Sequence, residues 1–272
     1  MTNFSVLISV YVKENPYCFS EALKSIWLNQ TLRPDEIIIV EDGPITGELE
    51  KVIVEFANQA SVQRVKISEN KGLGPALNLG LLHCQHEIVA RMDSDDICHP
   101  SRFDKQINFL VNNPDVSLLS SNISEFDNDY QNVSNERCVP CKHSEIVEFS
   151  KLRNPMNHMA VMFRKTAVLD SGGYIPFLGY EDYYLWVRML VKGYKAHNLE
   201  ESLVYARVGN NMLARRQGYI YFKQELKLQA EFVRLGHINL IQFSRNICLR
   251  AIPRLLPIKA LKMVYNHIRK IK

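Results

Sequence analysis

EIVARMDSDDICHPSR, residues 87–102, decides the reading of the fold. Its first half, Glu87 to Met92, is short and apolar, which suits a strand buried on both faces. The run ends in three carboxylates within four positions, Asp93, Asp95 and Asp96. Pro100 then sits at a helix start, with Phe103, Ile107, Phe109, Leu110 and Val111 periodic behind it. Two unit charges about 4 Å apart repel by roughly 4 kcal/mol at an effective dielectric near 20. A fold can spread such charges into solvent, cap a helix with one of them, or neutralise them with a cation. For one Asp a cap is as good an explanation as a metal. Three neighbouring charges cost more than one cap returns, and an Asp-x-Asp turn suits Mg²⁺ or Mn²⁺, which prefer carboxylate and phosphate oxygens.

The same unit recurs upstream. Phe4 to Val12 is an apolar, β-branched strand candidate, followed by a helical pattern that Pro16 opens and Ala22, Leu23, Ile26, Trp27 and Leu28 carry. Glu36 to Val40 is a second strand, and it too runs into acid, Glu41-Asp42-Gly43-Pro44. Thr46 is placed to cap the next helix, through Leu49, Val52, Ile53 and Phe56. Val62 to Ile67 alternates as a third strand, and Leu73 to Cys84 is the next helix. Strand and helix alternating in this way predict an α/β fold: a mostly parallel, Rossmann-like sheet with helices on both faces. Ligands of such sheets lie outside the carboxyl ends of the strands. The two acidic clusters are therefore expected to meet at one cleft.

After a strand from Val116 to Ser124, the polar EFDNDYQNVSNERCVPCKHS reads as a hairpin or mobile loop. The pattern recovers in MAVMF and GGYIPF and in a helix, EDYYLWVRMLVKG, and mostly helical residues run from Arg215 onward. The expected division is residues 1–216 as the catalytic domain, with 1–100 the nucleotide half and 101–216 the acceptor half, and 217–272 as a basic helical region.

Composition is that of a soluble globular chain, 46% apolar and 23% charged. The first residues do not resemble a signal peptide, and no run approaches the ~18 apolar residues of a membrane span. A cytoplasmic protein is the expectation. Six cysteines in 272 residues do not form a disulfide framework. Cys138-Val-Pro-Cys141, near His143, is half of a zinc pattern without its other half, so surface thiols are the better reading. Neither GxxxxGK[ST] nor GxGxxG after the first strand is present, which excludes the P-loop and the dinucleotide fingerprint. In NKGLGPALNLGL, Gly72, Gly74 and Gly80 would let a helix start approach the cleft, while Asn70 and Asn78 can hold neighbouring loops; packing explains Gly80 equally well.

Five blocks, VLISVYVKENPYCFSEALKSIWLNQT, PDEIIIVEDGPIT, NKGLGPALNLGL, ARMDSDDICHPSRFDKQI and GGYIPFLGYEDYYLWVRML, stand in the order found in family 2 glycosyltransferases. Over roughly residues 4–216 the chain resembles the bacterial O-antigen and capsule transferases of that family, with the GT-A fold. The resemblance implies that Glu41 and Asp42 contact the nucleoside, and that Asp95 ligates a Mn²⁺ or Mg²⁺ ion, with Asp93 as ribose or supporting metal partner. It extends the nucleotide-sugar site to Val10, Tyr11, Glu14, Asn70, Gly72, Asn78, Arg91 and Ser94. The donor it implies is a UDP-sugar.

Transfer also needs a base at the acceptor hydroxyl. Glu181 and Asp182 open a helix, where the dipole favours acid regardless of function; residues alone leave the two readings even. The resemblance selects Asp182 as base and Glu181 as the group that orients the acceptor. Trp186, one helical turn on, either stacks on a sugar or packs in the core. Asn157 and His158 are candidates for the acceptor side, His158 equally for the core. Arg215 and Arg216 match phosphate oxygens by geometry and charge, or form a solvated helix face. The processive members' Gln-x-x-Arg-Trp motif is absent, which argues for one sugar per encounter onto a lipid-linked glycan. A sugar nucleotidyltransferase and an inactive nucleotide-sugar-binding or scaffold protein are the alternatives.

Charge is divided unevenly. The last acidic residue is Glu231; nine Lys or Arg follow it, while the first 231 residues carry 24 basic and 29 acidic side chains, a net of −5. Ile258, Leu261, Val264, Tyr265, Ile268 and Ile271 would share one side of a helix, opposite Lys259, Lys262, Asn266, Arg269 and Lys270. That pattern fits peripheral binding to an anionic inner-leaflet surface, or a helix packed on the body with a basic outer face. Nucleic-acid binding is not expected, because no aromatic platform or recognised module accompanies the charge.

Overall fold

The computed structural model describes residues 2–208 and 218–255. β1 (Phe4–Val10), β2 (Glu36–Asp42), β3 (Val62–Ile67) and β4 (Ile88–Met92) pair in parallel in the order β3-β2-β1-β4. Alternation along the central strands builds two cores. Phe4, Val6, Ile8 and Val10 of β1 and Ile37 and Ile39 of β2 enter the core under α1 (Pro16–Trp27) and α2 (Gly47–Ala57). Leu7, Ile38 and Val40 face the other way, toward α3 (Leu73–His83). The helices start where the side chains can cap them. Asn15 Oδ1 accepts from the Tyr17 amide at 2.9 Å, one residue before Pro16 opens α1, and Thr46 Oγ1 accepts from the Leu49 amide at 3.3 Å. A Cβ added at Gly80 of α3 would lie 2.4 Å from Leu7 Cδ1 and 2.5 Å from Val40 Cγ2. Close packing on the sheet explains that glycine.

The second half is mixed rather than parallel. A two-residue strand, β5 (Ile97–Cys98), and α4 (Arg102–Asn112) follow β4. β6 (Val116–Phe126) pairs antiparallel with β7 (Asn135–Arg137), the expected hairpin. α5 (His143–Ser150) leads to β8 (Met162–Arg164), which lies antiparallel between β4 and β6 and joins the halves into one sheet. α6 (Lys165–Asp170) and α7 (Glu181–Val191) precede β9 (Lys195–Arg207), which pairs parallel with β6 and antiparallel with β5. GGYIPF forms no regular element; it is the loop that carries Tyr174.

α8 (Tyr219–Arg234) and α9 (Leu240–Asn246), followed by a π turn at Ile247–Ala251, do not stand apart from the body. Leu228, Phe232 and Ile238 share a core with Tyr180, Tyr183, Tyr184 and Val187 of the α7 region. Among the described residues, three of the four basic side chains after Glu231 are neutralised within the fold, Arg234 by Glu231 and Arg250 and Arg254 by Glu225. The basic region is thus partly structural. Arg215, Arg216 and the amphipathic stretch 257–272 lie outside the described residues. No helix among the described residues is long and apolar enough to cross a membrane. Cys138 is exposed and Cys141 half-buried, both free thiols, and the His143 ring accepts from the Ala196 amide.

Candidate active site

Both acidic clusters emerge at the carboxyl edge of the sheet, separated by β1. Glu41 pairs in register with Val10, and Met92, just before Asp93, pairs with Ile8. At about 4.8 Å between strands, β2 and β4 end roughly 10 Å apart.

On the β2 side the two acids are already engaged. The buried Glu41 carboxylate takes Arg64 Nε at 2.7 Å, and Lys66 Nζ approaches its other oxygen at 3.8 Å. Asp42 accepts the backbone N–H groups of Lys71 at 2.7 Å and Gly72 at 2.9 Å. It thereby satisfies the entry to α3, whose N-cap is Gly72 at φ +89°. Asn70 Nδ2 donates to the Asp42 carbonyl at 3.1 Å and ties the same loop to the strand end. Val10 is buried beneath this edge; Tyr11 and Glu14, in the turn after β1, are bonded to each other through a Glu14 N–H to Tyr11 carbonyl contact of 3.1 Å.

The β4 side is an acidic turn held by buried cations. Arg91 is almost wholly buried and grips Asp93 with both terminal nitrogens, Nη1 at 2.7 Å. The bidentate pairing fixes Asp93 in place. Ser94 is buried beside it. Asp96 is buried, and its Oδ1 accepts the Arg207 amide at 2.8 Å, while Arg207 Nε donates to the Asp95 carbonyl at 3.1 Å. Burial, aided by the neighbouring Asp93 charge, pushes the Asp95 carboxyl up to about 6. Burial also lifts Asp96 well above the ordinary carboxylate range, with Asp93 and Asp95 adding to the effect. Both shifts come first from burial and then from crowding of like charges. Beneath it lies Arg102, with no exposed surface, whose Nη2 donates to the carbonyls of Arg91 at 2.8 Å and Val161 at 3.2 Å.

Among the described residues no group of three or more His, Cys, Asp or Glu converges as a metal cage. The hard oxygens of Asp95 and Asp93 suit Mn²⁺ or Mg²⁺, and an ion there would need phosphate and water oxygens to fill its shell.

The second acidic pair sits at the first turn of α7 and closes on the start of α3. A Cβ at Gly74 of α3 would lie 3.2 Å from Glu181 Cγ, so the helix start and Glu181 are in contact because residue 74 has no side chain. Burial pushes the Glu181 carboxyl up. Asp182 Oδ2 accepts from Asn154 Nδ2 at 2.6 Å, which orients the carboxylate. Asn78 holds the Tyr174 loop by two bonds, Nδ2 to the Tyr174 carbonyl at 2.6 Å and Oδ1 from its amide at 2.7 Å.

Two acceptor-side candidates, Trp186 and Asn157, lie too deep to touch a sugar, and the third, His158, is half-buried. Trp186 has no exposed surface and packs edge-on against Tyr174 and His158, with ring centroids 6.2 and 5.9 Å away. It faces inward because α7 is buried along nearly its whole length. Asn157 is fully buried and locks β6, donating to the Ser121 carbonyl at 2.8 Å. His158 bonds the Tyr174 hydroxyl at 3.1 Å, and burial next to Arg91 holds its pKa well below the usual value, so it is neutral. The open approach to Glu181 is instead a groove of about 440 Å³, lined by Lys71, Pro75, Phe177, Leu178 and Lys227 among others. Asn154, Tyr174, Arg102 and Arg207 were not legible as site residues. Arg102 hides in a helical pattern, Arg207 ends an unread strand, and Asn154 has no local signature.

A model of the family described as Glycosyl transferase family 2 matches residues 5–169. The chain belongs to that family. Two relatives cover it almost end to end. The amylovoran biosynthesis glycosyltransferase AmsE of Erwinia amylovora is 39% identical over 98% of this chain and 99% of its own. The UDP-Gal:alpha-D-GlcNAc-diphosphoundecaprenol beta-1,3-galactosyltransferase of Escherichia coli is 39% identical over 97% and 96%. Among solved structures, S. aureus TarS 1-349 in complex with UDP-GlcNAc superposes with a TM-score of 0.69 at 16% identity, covering 93% of this chain and 72% of that one. This chain is therefore a family 2 glycosyltransferase with the GT-A fold, which removes the nucleotidyltransferase and scaffold alternatives.

Proposed function

We propose that the protein moves one hexose (galactose, glucose or N-acetylhexosamine) from a UDP-sugar to a lipid-linked, diphosphate-bearing glycan during bacterial polysaccharide assembly, with inversion. The observation that carries this reading is the contact between Gly74 and Glu181, which sets the first turn of α7 beside the start of α3. A donor lying over the β2 and β4 ends would present its sugar to Asp182.

In this reading the strand-end residues hold the UDP moiety: Asp42 and the loop it fixes at the nucleoside, Asp93 at the ribose. Asp95, with Asp93, holds a divalent ion. When bound, that ion neutralises the departing diphosphate. Asp182, oriented by Asn154, accepts the proton of the acceptor hydroxyl as its oxygen attacks the anomeric carbon. The bond from that carbon to the diphosphate oxygen breaks on the opposite side, and UDP leaves with the electron pair. A single displacement turns an α-linked donor into a β-glycoside. The acceptor enters by the groove, where Lys71 and Lys227 offer charge to a diphosphate and Pro75, Phe177 and Leu178 offer apolar surface. By its sequence pattern, residues 257–272 bring the enzyme to the anionic inner leaflet, where no more than reversible attachment is needed.

The deciding experiment incubates the enzyme with Mn²⁺ and a panel of UDP-sugars, with an alkyl-diphosphate-linked sugar as acceptor. Transfer from one donor that stops with EDTA and returns with Mn²⁺ is expected. Transfer that persists in EDTA would refute the metal role, and retention of the donor's anomeric configuration would refute direct displacement.

A further inference from the structure

The C-terminal helices reach the active site through one buried carboxylate. Glu225 of α8 has no exposed surface. Its Oε2 accepts the Tyr180 hydroxyl at 2.6 Å and Arg254 Nη2 at 3.1 Å, and its Oε1 accepts Arg250 Nε at 2.8 Å and Gln229 Nε2 at 3.0 Å. Tyr180 is the N-cap of α7, the residue immediately before Glu181 and Asp182. Arg250, held by Glu225, passes on to the segment that carries Asn154: its Nη1 donates to the Leu152 carbonyl at 2.6 Å. Asn246 donates to the Lys151 carbonyl at 2.7 Å, and the Tyr183 hydroxyl to the Ser150 carbonyl at 2.7 Å. Asp182 and the side chain that orients it thus come from two segments, and both are fastened to the same anion.

We propose that Glu225 is a positioning residue for the transfer step: through Tyr180 it fixes the first turn of α7, and through Arg250 it fixes the 150–154 segment, so that Asn154 meets Asp182. This rests on the reading of Asp182 as the base. An ion cluster of this kind is a costly way to gain stability alone, since buried pairs often do no better than apolar side chains. Its directionality is what a catalytic turn requires, because small misplacements of a reacting group are expensive in rate. The donor-binding strand ends are tied down separately, by Arg64, Arg91 and the Asp42 loop. The cluster therefore acts on turnover rather than on donor affinity.

Tyr180→Phe tests this in the full chain, since it removes one hydroxyl and leaves the ring in its core. With the UDP-sugar and acceptor that the unaltered enzyme uses best, kcat should fall about tenfold or more, while the KM for donor and the calorimetric affinity for UDP with Mn²⁺ stay within about twofold. Hydrogen exchange should quicken at residues 150–154 and 180–184. Ile53→Val, a mild core change in α2, supplies a control with lowered thermal stability and unchanged kcat. An unchanged kcat for Tyr180→Phe, or an equal loss in the Ile53→Val control, overturns the proposal. If Asp182→Asn also transfers sugar normally, the failure lies with the base assignment; if Asp182→Asn is inactive and Tyr180→Phe is not, it lies with Glu225.

Discussion

Asp93→Asn and Asp95→Asn each take one charge from the same turn, yet they should part company in stability. Asp93 is the partner of Arg91, whose side chain is 2% exposed against 30% for Asp93. Asparagine there leaves a buried guanidinium without its anion. Removing one member of a fully buried pair costs about 3–5 kcal/mol, and the partial exposure of Asp93 brings the expected loss to about 2 kcal/mol. For a chain of this size that corresponds to a Tm about 4–8 °C lower. Asp95 differs because Arg207 donates to its main-chain oxygen, which asparagine keeps. Its charge sits among like charges, so Asp95→Asn should change stability by no more than about 1 kcal/mol. Both variants should lose most transfer activity. The comparison is made by urea unfolding and thermal melts in EDTA without nucleotide, so that ligand binding does not contribute. Equal destabilisation by the two, or a larger one from Asp95→Asn, would refute the division of labour between a fixed Asp93 and a metal-facing Asp95.

Asp182→Asn should retain UDP binding by calorimetry and lose transfer by about 10² or more; collapse of donor affinity instead would move Asp182 into the nucleotide site. Burial alone would push the Glu225 carboxyl up, but Arg250, Tyr180 and Arg254 outweigh it and bring it to about 2. A folded pKa below the ordinary value adds stability above about pH 4.5 that is lost as pH falls toward 2. The gap in unfolding free energy between the unaltered enzyme and Glu225→Gln should then narrow by about 2 kcal/mol between pH 6 and pH 3, measured by urea unfolding. Gly80→Ala should cost about 1–3 kcal/mol through crowding of Leu7 and Val40, with kcat per folded molecule unchanged in a thermal melt paired with a transfer assay.

The N-terminal half was legible because its strands are short apolar runs closed by turn and cap residues. Val62–Ile67 matches its expected bounds, and Thr46 caps the helix it was assigned. The half from α4 onward was less so. Lys195–Arg207 reads KAHNLEESLVYAR, without clean alternation, and its pairing with β6 shifts register at several points, so no single period marks it as a strand. The acidic positions were legible as chemistry, but their partners were not. Arg64 on Glu41, Arg91 on Asp93 and Asn154 on Asp182 are long-range or conformational facts that spacing does not encode. Trp186 stood between two readings in the sequence, and a helix buried along most of its length decides for the core.

The two bonds between Asn78 and the Tyr174 main chain have a consequence for how such enzymes diversify. They splice a helix of the first half to a loop of the second, with 96 residues of chain between them. A recombinant that takes its N-terminal half from one relative and its C-terminal half from another inherits this seam from two parents. Because the bonds run to main-chain atoms, the exposed side chains of the loop, such as Ile175 and Leu178, can change freely, but Tyr174, its backbone path and an amide at position 78 must travel together. A changed loop surface is therefore more easily reached by rewriting the loop in place than by exchanging whole halves.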